Sequence, residues 1–156
     1  MRVEDLMTSQ VFTVEQHDMI DRVFFLLHYE KVRHLPVVEK GKVIGIVSDR
    51  DLYKALGPKS NSNSVETVEG KTVLQVVPQK VQHIMRRGVL TVNPDTYASE
   101  AASIMAENKV GALPVVDKNN KLVGIVSATD ILRVFAKIEK ASEEREKRIA
   151  AGVSHT

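Results

Sequence analysis

The stretch GIVSDRDLYKAL (45–56) returns later in the chain as GIVSATDILRVF (124–135), and the fold follows from that repetition. Working outward, KVRHLPVVEK (31–40) is answered by KVGALPVVDK (109–118), and VEDLMTSQVFTV from Val3 by VQHIMRRGVLTV from Val81. The offset is 78 from Val3/Val81 through Pro36/Pro114. It is 79 from Gly45/Gly124 onward, because the turn KNNK (118–121) is one residue longer than KGK (40–42). A unit present only twice is no open solenoid, which needs about three stacked repeats. Two copies that each leave an apolar face bare are expected to close on one another about a pseudo-two-fold axis. The cleft between them is then the place to seek function.

Each repeat reads β-α-β-β-α, a mixed α/β (α+β) fold. In the first, a short strand is expected at Val11–Val14, with Asp18 as the cap of a helix. Ile20, Val23, Phe24 and Leu27 follow at the spacing of one buried stripe. The second repeat has Ala98, Ala101, Ala102 and Met105 there, so its helix should approach its neighbour more closely. LPVV (35–38) and VIGIV (43–47) are short, β-branched and nearly all apolar, which predicts strands buried on both faces. EKGK (39–42) joins them as a hairpin, and Pro36, lacking an N–H, belongs at a strand start. SDRD (48–51) then opens a second helix carrying Leu52, Ala55 and Leu56. The division predicted is a first repeat over 1–57, a linker over 58–77, a second repeat over 78–136 and a charged helical tail over 137–156. Within it, the Ser- and Asn-rich GPKSNSNSVETVEGK (57–71) reads as a mobile connector, and TVLQVV (72–77) as helix or strand. The tail extends the apolar stripe through Ile138 and Ala141, and serves either as a solvated helix or as a contact for a partner.

Composition removes several classes of function. A chain of 156 residues buries roughly 68–70% of its unfolded surface and needs no staples. The absence of cysteine excludes disulfides, thiolate metal sites and thiol nucleophiles, and fits a reducing cytoplasm. MRVEDLMTSQ does not read as a signal peptide, and no apolar run nears the ~18 residues of a membrane span. A net charge of +2 with 4% aromatics argues against a nucleic-acid partner. His17, His28, His34, His83 and His155 have no metal-ligand spacing, and no nucleophile elbow, P-loop or Gly-x-Gly-x-x-Gly is present, so no enzyme is expected.

The chemistry that remains lies in Gly-Ile-Val-Ser-x-x-Asp, present twice. Each copy sets a strand end against a helix N-terminus that begins with a hydroxyl (Ser48, Ser127) and carries a carboxylate three residues on (Asp51, Asp130). The positive end of a helix suits an anion, whereas an aspartate beside it suits a vicinal diol, and together they point to a ribose with phosphate nearby. Gly45 and Gly124 would leave room for that approach. The same Ser-x-x-Asp is also a capping box, a purely structural device, and the pattern alone leaves the two readings open. Basic residues favour the first: Arg33 and His34 stand where the second repeat has Gly111 and Ala112, Arg50 where it has Thr129, and Arg86 where the first repeat has Thr8. If Arg33, His34, Arg50 and Arg86 converge, the Asp51 cleft attracts phosphates; otherwise they are solvated surface groups. The Asp130 cleft should be smaller-lined and more neutral.

Two β-α-β-β-α units, each with h-x-x-L-P-V-V-[DE] followed by G-h-V-S-x-x-D, resemble a tandem pair of cystathionine β-synthase (CBS) domains, a Bateman module, over residues 3–56 and 81–135. The resemblance implies a compact pseudo-symmetric pair, often dimerising into a flat disc, with AMP, ADP, ATP or S-adenosylmethionine bound between repeats. It implies Asp51 and Asp130 on the ribose, Ser48 and Ser127 on ribose or phosphate, and Ile46 and Ile125 beside the adenine. Each cleft would borrow from the other repeat: the Asp51 site from Arg86 and Gly111, the Asp130 site from Thr8 and Arg33. A stand-alone sensor acting on a protein target in trans is the function so implied. The alternative is a structural dimerisation module with empty clefts.

Overall fold

The computed structural model describes residues 1–57, 64–75 and 78–152. The elements are α1 (Ile20–Tyr29), β1 (His34–Glu39), β2 (Lys42–Ser48), α2 (Asp49–Leu56), β3 (Ser64–Val68), β4 (Lys71–Gln75), α3 (Ala98–Asn108), β5 (Ala112–Val116), β6 (Leu122–Ser127) and α4 (Ala128–Ala150). β1 pairs antiparallel with β2, and β5 with β6; in each hairpin the register slips at the same place, leaving Ile44 and Val123 as bulge residues. Lys40 and Gly41 both take positive φ, as a two-residue hairpin turn of right-handed twist demands.

The leading strand of each repeat shrinks to a single parallel bridge, Val14 to Val37 and Val92 to Val115. Pro36 sits inside β1 rather than at its start, paired with Ile46. It is tolerated because the Val14 bridge uses its carbonyl, 3.1 Å from the Val14 nitrogen. Its missing donor would point toward Phe12, where no strand runs. β5 is buried throughout, as expected, and β1 is buried over Leu35–Val37, with His34 and Val38 half-buried and Glu39 exposed. β2 and β6 instead alternate, with Val43, Gly45 and Val47 inward and Ile44 and Ile46 part-exposed.

The two repeats exchange their leading arms. Val3 of the first repeat is fully buried among Val92, Ala101, Met105 and Leu113 of the second. Val81 and Met85 of the second complete the core of the first, with Ile20, Val23, Leu35 and Leu52. Backbone bonds lock the exchange: Val3 N–H to Thr96 C=O at 2.8 Å on one side, Val81 N–H to Asp18 C=O at 2.8 Å on the other. The arms also cap the helices. Ile20 N–H donates to Gln79 C=O and Ala98 N–H to Met1 C=O, so Met19, not Asp18, is the N-cap of α1 and needs no side-chain acceptor. The Asp18 carboxylate instead accepts the Glu15 N–H.

This exchange also changes the reading of Gly45 and Gly124. A Cβ on Gly45 would lie 2.8 Å from Met85 Sδ and 3.0 Å from Arg86 O; one on Gly124, 2.6 Å from Met7 Sδ and 3.0 Å from Thr8 O. The space these glycines leave is filled by the exchanged arm, not kept for a ligand. At the opposite end, Leu122 N–H donates to Gly41 C=O and Val43 N–H to Asn120 C=O, so the two hairpin turns join the repeats a second time.

Part of the expected connector, from Ser64, forms the hairpin β3–β4 around Glu69 and Gly70, and the open stretch from 72 resolves as strand through Gln75. Residues 58–63 and 76–77 of the connector, and His155, lie outside the described residues. The tail is helical to Ala150.

Candidate functional site

The ends of β2 and β6 open onto one cavity of about 840 Å³ between the repeats. All the residues singled out above reach it: Asp51, Ser48, Arg50, Ile46, Arg33, His34 and Thr8 from the first repeat, and Asp130, Ser127, Thr129, Ile125, Ala112, Gly111 and Arg86 from the second. The expectation of two clefts becomes one continuous chamber with an aspartate in each half. Ile46 and Ile125 reach it because the alternation of β2 and β6 turns them away from the cores.

Each aspartate divides its work. Asp51 Oδ2 accepts the Ser48 N–H at 2.9 Å and the Ser48 hydroxyl at 3.0 Å, while the Asp51 N–H donates back to Ser48 Oγ at 3.3 Å. Asp130 repeats the pattern with Ser127 at 2.8, 3.0 and 3.2 Å. Both are complete capping boxes. That arrangement consumes one oxygen of each carboxylate. The other faces a cation: Asp51 Oδ1 is 3.2 Å from Arg86 Nε, and Asp130 Oδ1 is 3.8 Å from Arg133 Nη1. Cap and candidate site therefore coexist on the same side chain.

Arg86 comes from the second repeat because its arm pairs with β2. Its N–H donates to Ile46 C=O at 2.8 Å, and the Ile46 N–H returns to Arg86 C=O at 3.1 Å. Thr8 and Ile125 form the matching pair at 2.9 and 3.0 Å. Gly111 faces the first repeat differently: a Cβ there would lie 3.1 Å from His34 Cε1 and Nε2. The imidazole thus reaches across the axis into space that only a glycine leaves. Burial pushes the His34 pKa below its ordinary value; Asp49 and Asp51 pull it upward, while Arg33 and Arg50 push it further down.

Among the cavity residues not assigned to the site from the sequence are Asp49, Arg87 and Arg133. Asp49 holds Arg33 at 3.2 Å, so part of the expected positive charge is compensated. Arg87 adds a cation beside Arg86. Arg133 serves the Asp130 half, which is therefore less neutral than expected. Arg133 was legible in principle, since it stands one helical turn after Asp130 on a helix whose N-terminus was already placed.

The model of the CBS domain matches residues 3–58 and again 81–137. The chain belongs to the CBS domain family. As a tandem CBS pair it is 31% identical over 134 residues to the uncharacterized protein MJ1225 of Methanocaldococcus jannaschii, covering 86% of this chain and 47% of that one. It spans 24–47% of the length of three curated relatives that it matches. Among solved structures, it resembles the CBS domain pair of protein MJ0100 in complex with 5′-methylthioadenosine and S-adenosyl-L-methionine. The TM-score is 0.72 at 28% identity, covering 88% of this chain and 97% of that one. CBSX2 in complex with AMP aligns with a TM-score of 0.69 at 29% identity, over 88% and 98% of the two chains. No helix among the described residues of this CBS pair is long and apolar enough to cross a membrane.

Proposed function

We propose that this CBS pair is a regulatory, non-catalytic module that binds an adenosine-type ligand between its repeats and reports occupancy as a change of shape. One observation carries the proposal: each half of the 840 Å³ cavity presents an aspartate whose second oxygen is free of the helix cap and held only by an exposed arginine. A ribose diol placed on Asp51 Oδ1 competes with Arg86, and the displaced guanidinium turns to the phosphate that follows the sugar. Because Arg86 lies on the exchanged arm bonded to Ile46, that transfer pulls on the joint between repeats. A ligand shifts the shape of the pair by its difference in affinity for the two forms.

The AMP and S-adenosylmethionine complexes of similar pairs support the ligand class. Arg33, Arg50, Arg86 and Arg87 favour AMP, ADP or ATP in the Asp51 half. We place the protein in the cytoplasm as a homodimer acting on a protein target in trans. Isothermal titration with AMP, ADP, ATP, S-adenosylmethionine and GTP tests the reading. Binding of an adenosine compound, lost on Asp51→Ala or Asp130→Ala, is expected; silence across the panel overturns it.

The completeness of both capping boxes favours a second reading, a dimerisation module whose aspartates serve only their helices. Such a protein would purify without ultraviolet-absorbing ligand, which is easily seen in a chain without tryptophan.

A further inference from the structure

The two repeats run in step except at one turn, and that turn lies where they touch. β2 and β6 meet at their starts, through the antiparallel bridge Lys42–Lys121, and end in the two halves of the chamber, at Ser48 and Ser127. The first turn, Lys40-Gly41, contributes backbone alone: the Gly41 C=O accepts the Leu122 N–H at 3.0 Å. The second is a three-residue loop, 118–120, closed by the Asp117 N–H donating to the Lys121 C=O at 2.9 Å. The residue that shifts the offset from 78 to 79 falls in this loop. Its third position, Asn120, takes a φ of +62°, the left-handed conformation such loops require. Glycine enters that conformation without steric cost. Asparagine is tolerated there and brings a side chain that glycine lacks. That side chain crosses to the other repeat. Asn120 Nδ2 donates to the Val43 C=O at 3.2 Å, in a part-buried bond, while the Asn120 C=O accepts the Val43 N–H at 3.3 Å. One residue thus holds both backbone polar groups of Val43, itself 8% exposed.

We propose that Asn120 is a positioning residue: its grip on Val43 sets the angle between β2 and β6, and with it the opening of the chamber. Each strand is held at two places. Near the chamber it pairs with the exchanged arm, Ile46 with Arg86 and Ile125 with Thr8; at its other end it is held by the joined turns. The first attachment leaves a strand free to rock about the arm, and the second removes that freedom. β2 spans seven residues, about 20 Å, so a rock of about 5° at the turns moves Ser48 by about 2 Å. That displacement exceeds the margin of about 0.5 Å within which a binding constellation must be held. A pair that samples wrong openings has its affinity reduced by the fraction that is competent. The effect on binding rests on the function proposed above; the angle itself does not.

His34 reports the opening without a ligand, because its imidazole belongs to the first repeat and lies against Gly111 of the second. Asn120→Gly keeps the left-handed turn and the backbone bonds and removes only the side-chain donor. In nuclear magnetic resonance spectra of the free protein it should weaken the Overhauser contact between the His34 ring and Gly111. As the ring regains water, its pKa should rise toward the ordinary value, since burial is the main cause of its depression. Titration calorimetry with AMP, ATP and S-adenosylmethionine should show, for each one that the wild type binds, an affinity about two- to tenfold weaker, the range that one net hydrogen bond covers. Asn119→Gly, in the same loop but without a side-chain bond across the joint, should change neither reading. A His34 contact and titration equal to wild type in Asn120→Gly overturn the proposal, as does an unchanged affinity once the His34 contact has loosened. Equal effects from Asn119→Gly would assign the change to the turn as a whole and overturn it too. A wild type that binds no adenosine compound sinks the ligand reading above, and the angle then stands or falls on the His34 contact alone.

Discussion

Asp51→Asn separates the cap from the candidate site on one side chain. The amide oxygen can still accept the Ser48 N–H, as Asp51 Oδ2 does at 2.9 Å, and asparagine is among the better residues at helix starts. What is lost is the charge. The ion pair with Arg86 joins a 10%-exposed carboxylate to a 60%-exposed guanidinium, and a pair so open to solvent contributes about 0–1 kcal/mol. The free protein should therefore lose no more than about 1 kcal/mol, or about 2–4 °C in Tm for a chain of this size. Binding should suffer more. A hydrogen bond to a charged acceptor contributes about 1.5–3 kcal/mol, so affinity falls about 10- to 150-fold. At a ligand concentration of a hundred Kd the wild type gains about 2.7 kcal/mol of stability. The variant at the same concentration gains about 1.4 kcal/mol at the mild end of that range and about 0.3 kcal/mol at the severe end. Differential scanning fluorimetry with and without AMP reads both numbers in one experiment. A ligand-induced shift in Asp51→Asn equal to that of the wild type would refute the role given to Oδ1, whatever the variant does to the free protein.

Further outcomes follow from the same geometry. Gly124→Ala forces a methyl against the Thr8 carbonyl and Met7, and should destabilise by about 1–3 kcal/mol in urea unfolding, as should Gly45→Ala; no loss in either would argue against the arm exchange. Arg86→Ala should weaken a phosphate-bearing nucleotide far more than adenosine, and equal weakening by titration calorimetry would place Arg86 off the phosphate. Because the folded His34 pKa lies below its unfolded value, the unfolded chain binds the extra proton first as pH falls below about 6.5. The His34 contribution to stability is thus present above that pH and lost as pH drops toward the folded pKa. His34→Gln should lessen the fall in urea midpoint between pH 7.5 and 5.5, and an unchanged fall would remove His34 as its source. Phosphate brought near the imidazole should draw a proton onto it. Nucleotide binding to wild type at pH 6 should therefore show a buffer-dependent heat that His34→Gln lacks.

Much of this protein could be read in one dimension because its signals are short-range. The doubled line of residues announces two equal units by simple comparison along the chain; Lys40-Gly41 announces a tight hairpin and each Ser-x-x-Asp a helix start, and these depend only on neighbours within a few positions. That Asp51 and Asp130 line the space between the units followed from duplication plus the need of each unit to cover its apolar face, although two separate clefts were expected where one chamber is found. Contacts that span the chain were not legible in periodicity or motif, although the family resemblance implied that Arg86 and Thr8 would serve the opposite half. Periodicity cannot tell whether Val3 or Val81 closes its own repeat or the other one, since either arm satisfies the same apolar demand. For that reason Gly45 and Gly124 read as open space when they are filled, and Asp18 read as a cap when a carbonyl 61 residues away, Gln79, does the work. Arg33 looked free because its partner Asp49 approaches only once β1 and α2 are brought together, and His34 looked like one more cation until packing against Gly111 drew it out of water. Local chemistry chose the elements; the closing of two half-cores on each other chose which residues share a space.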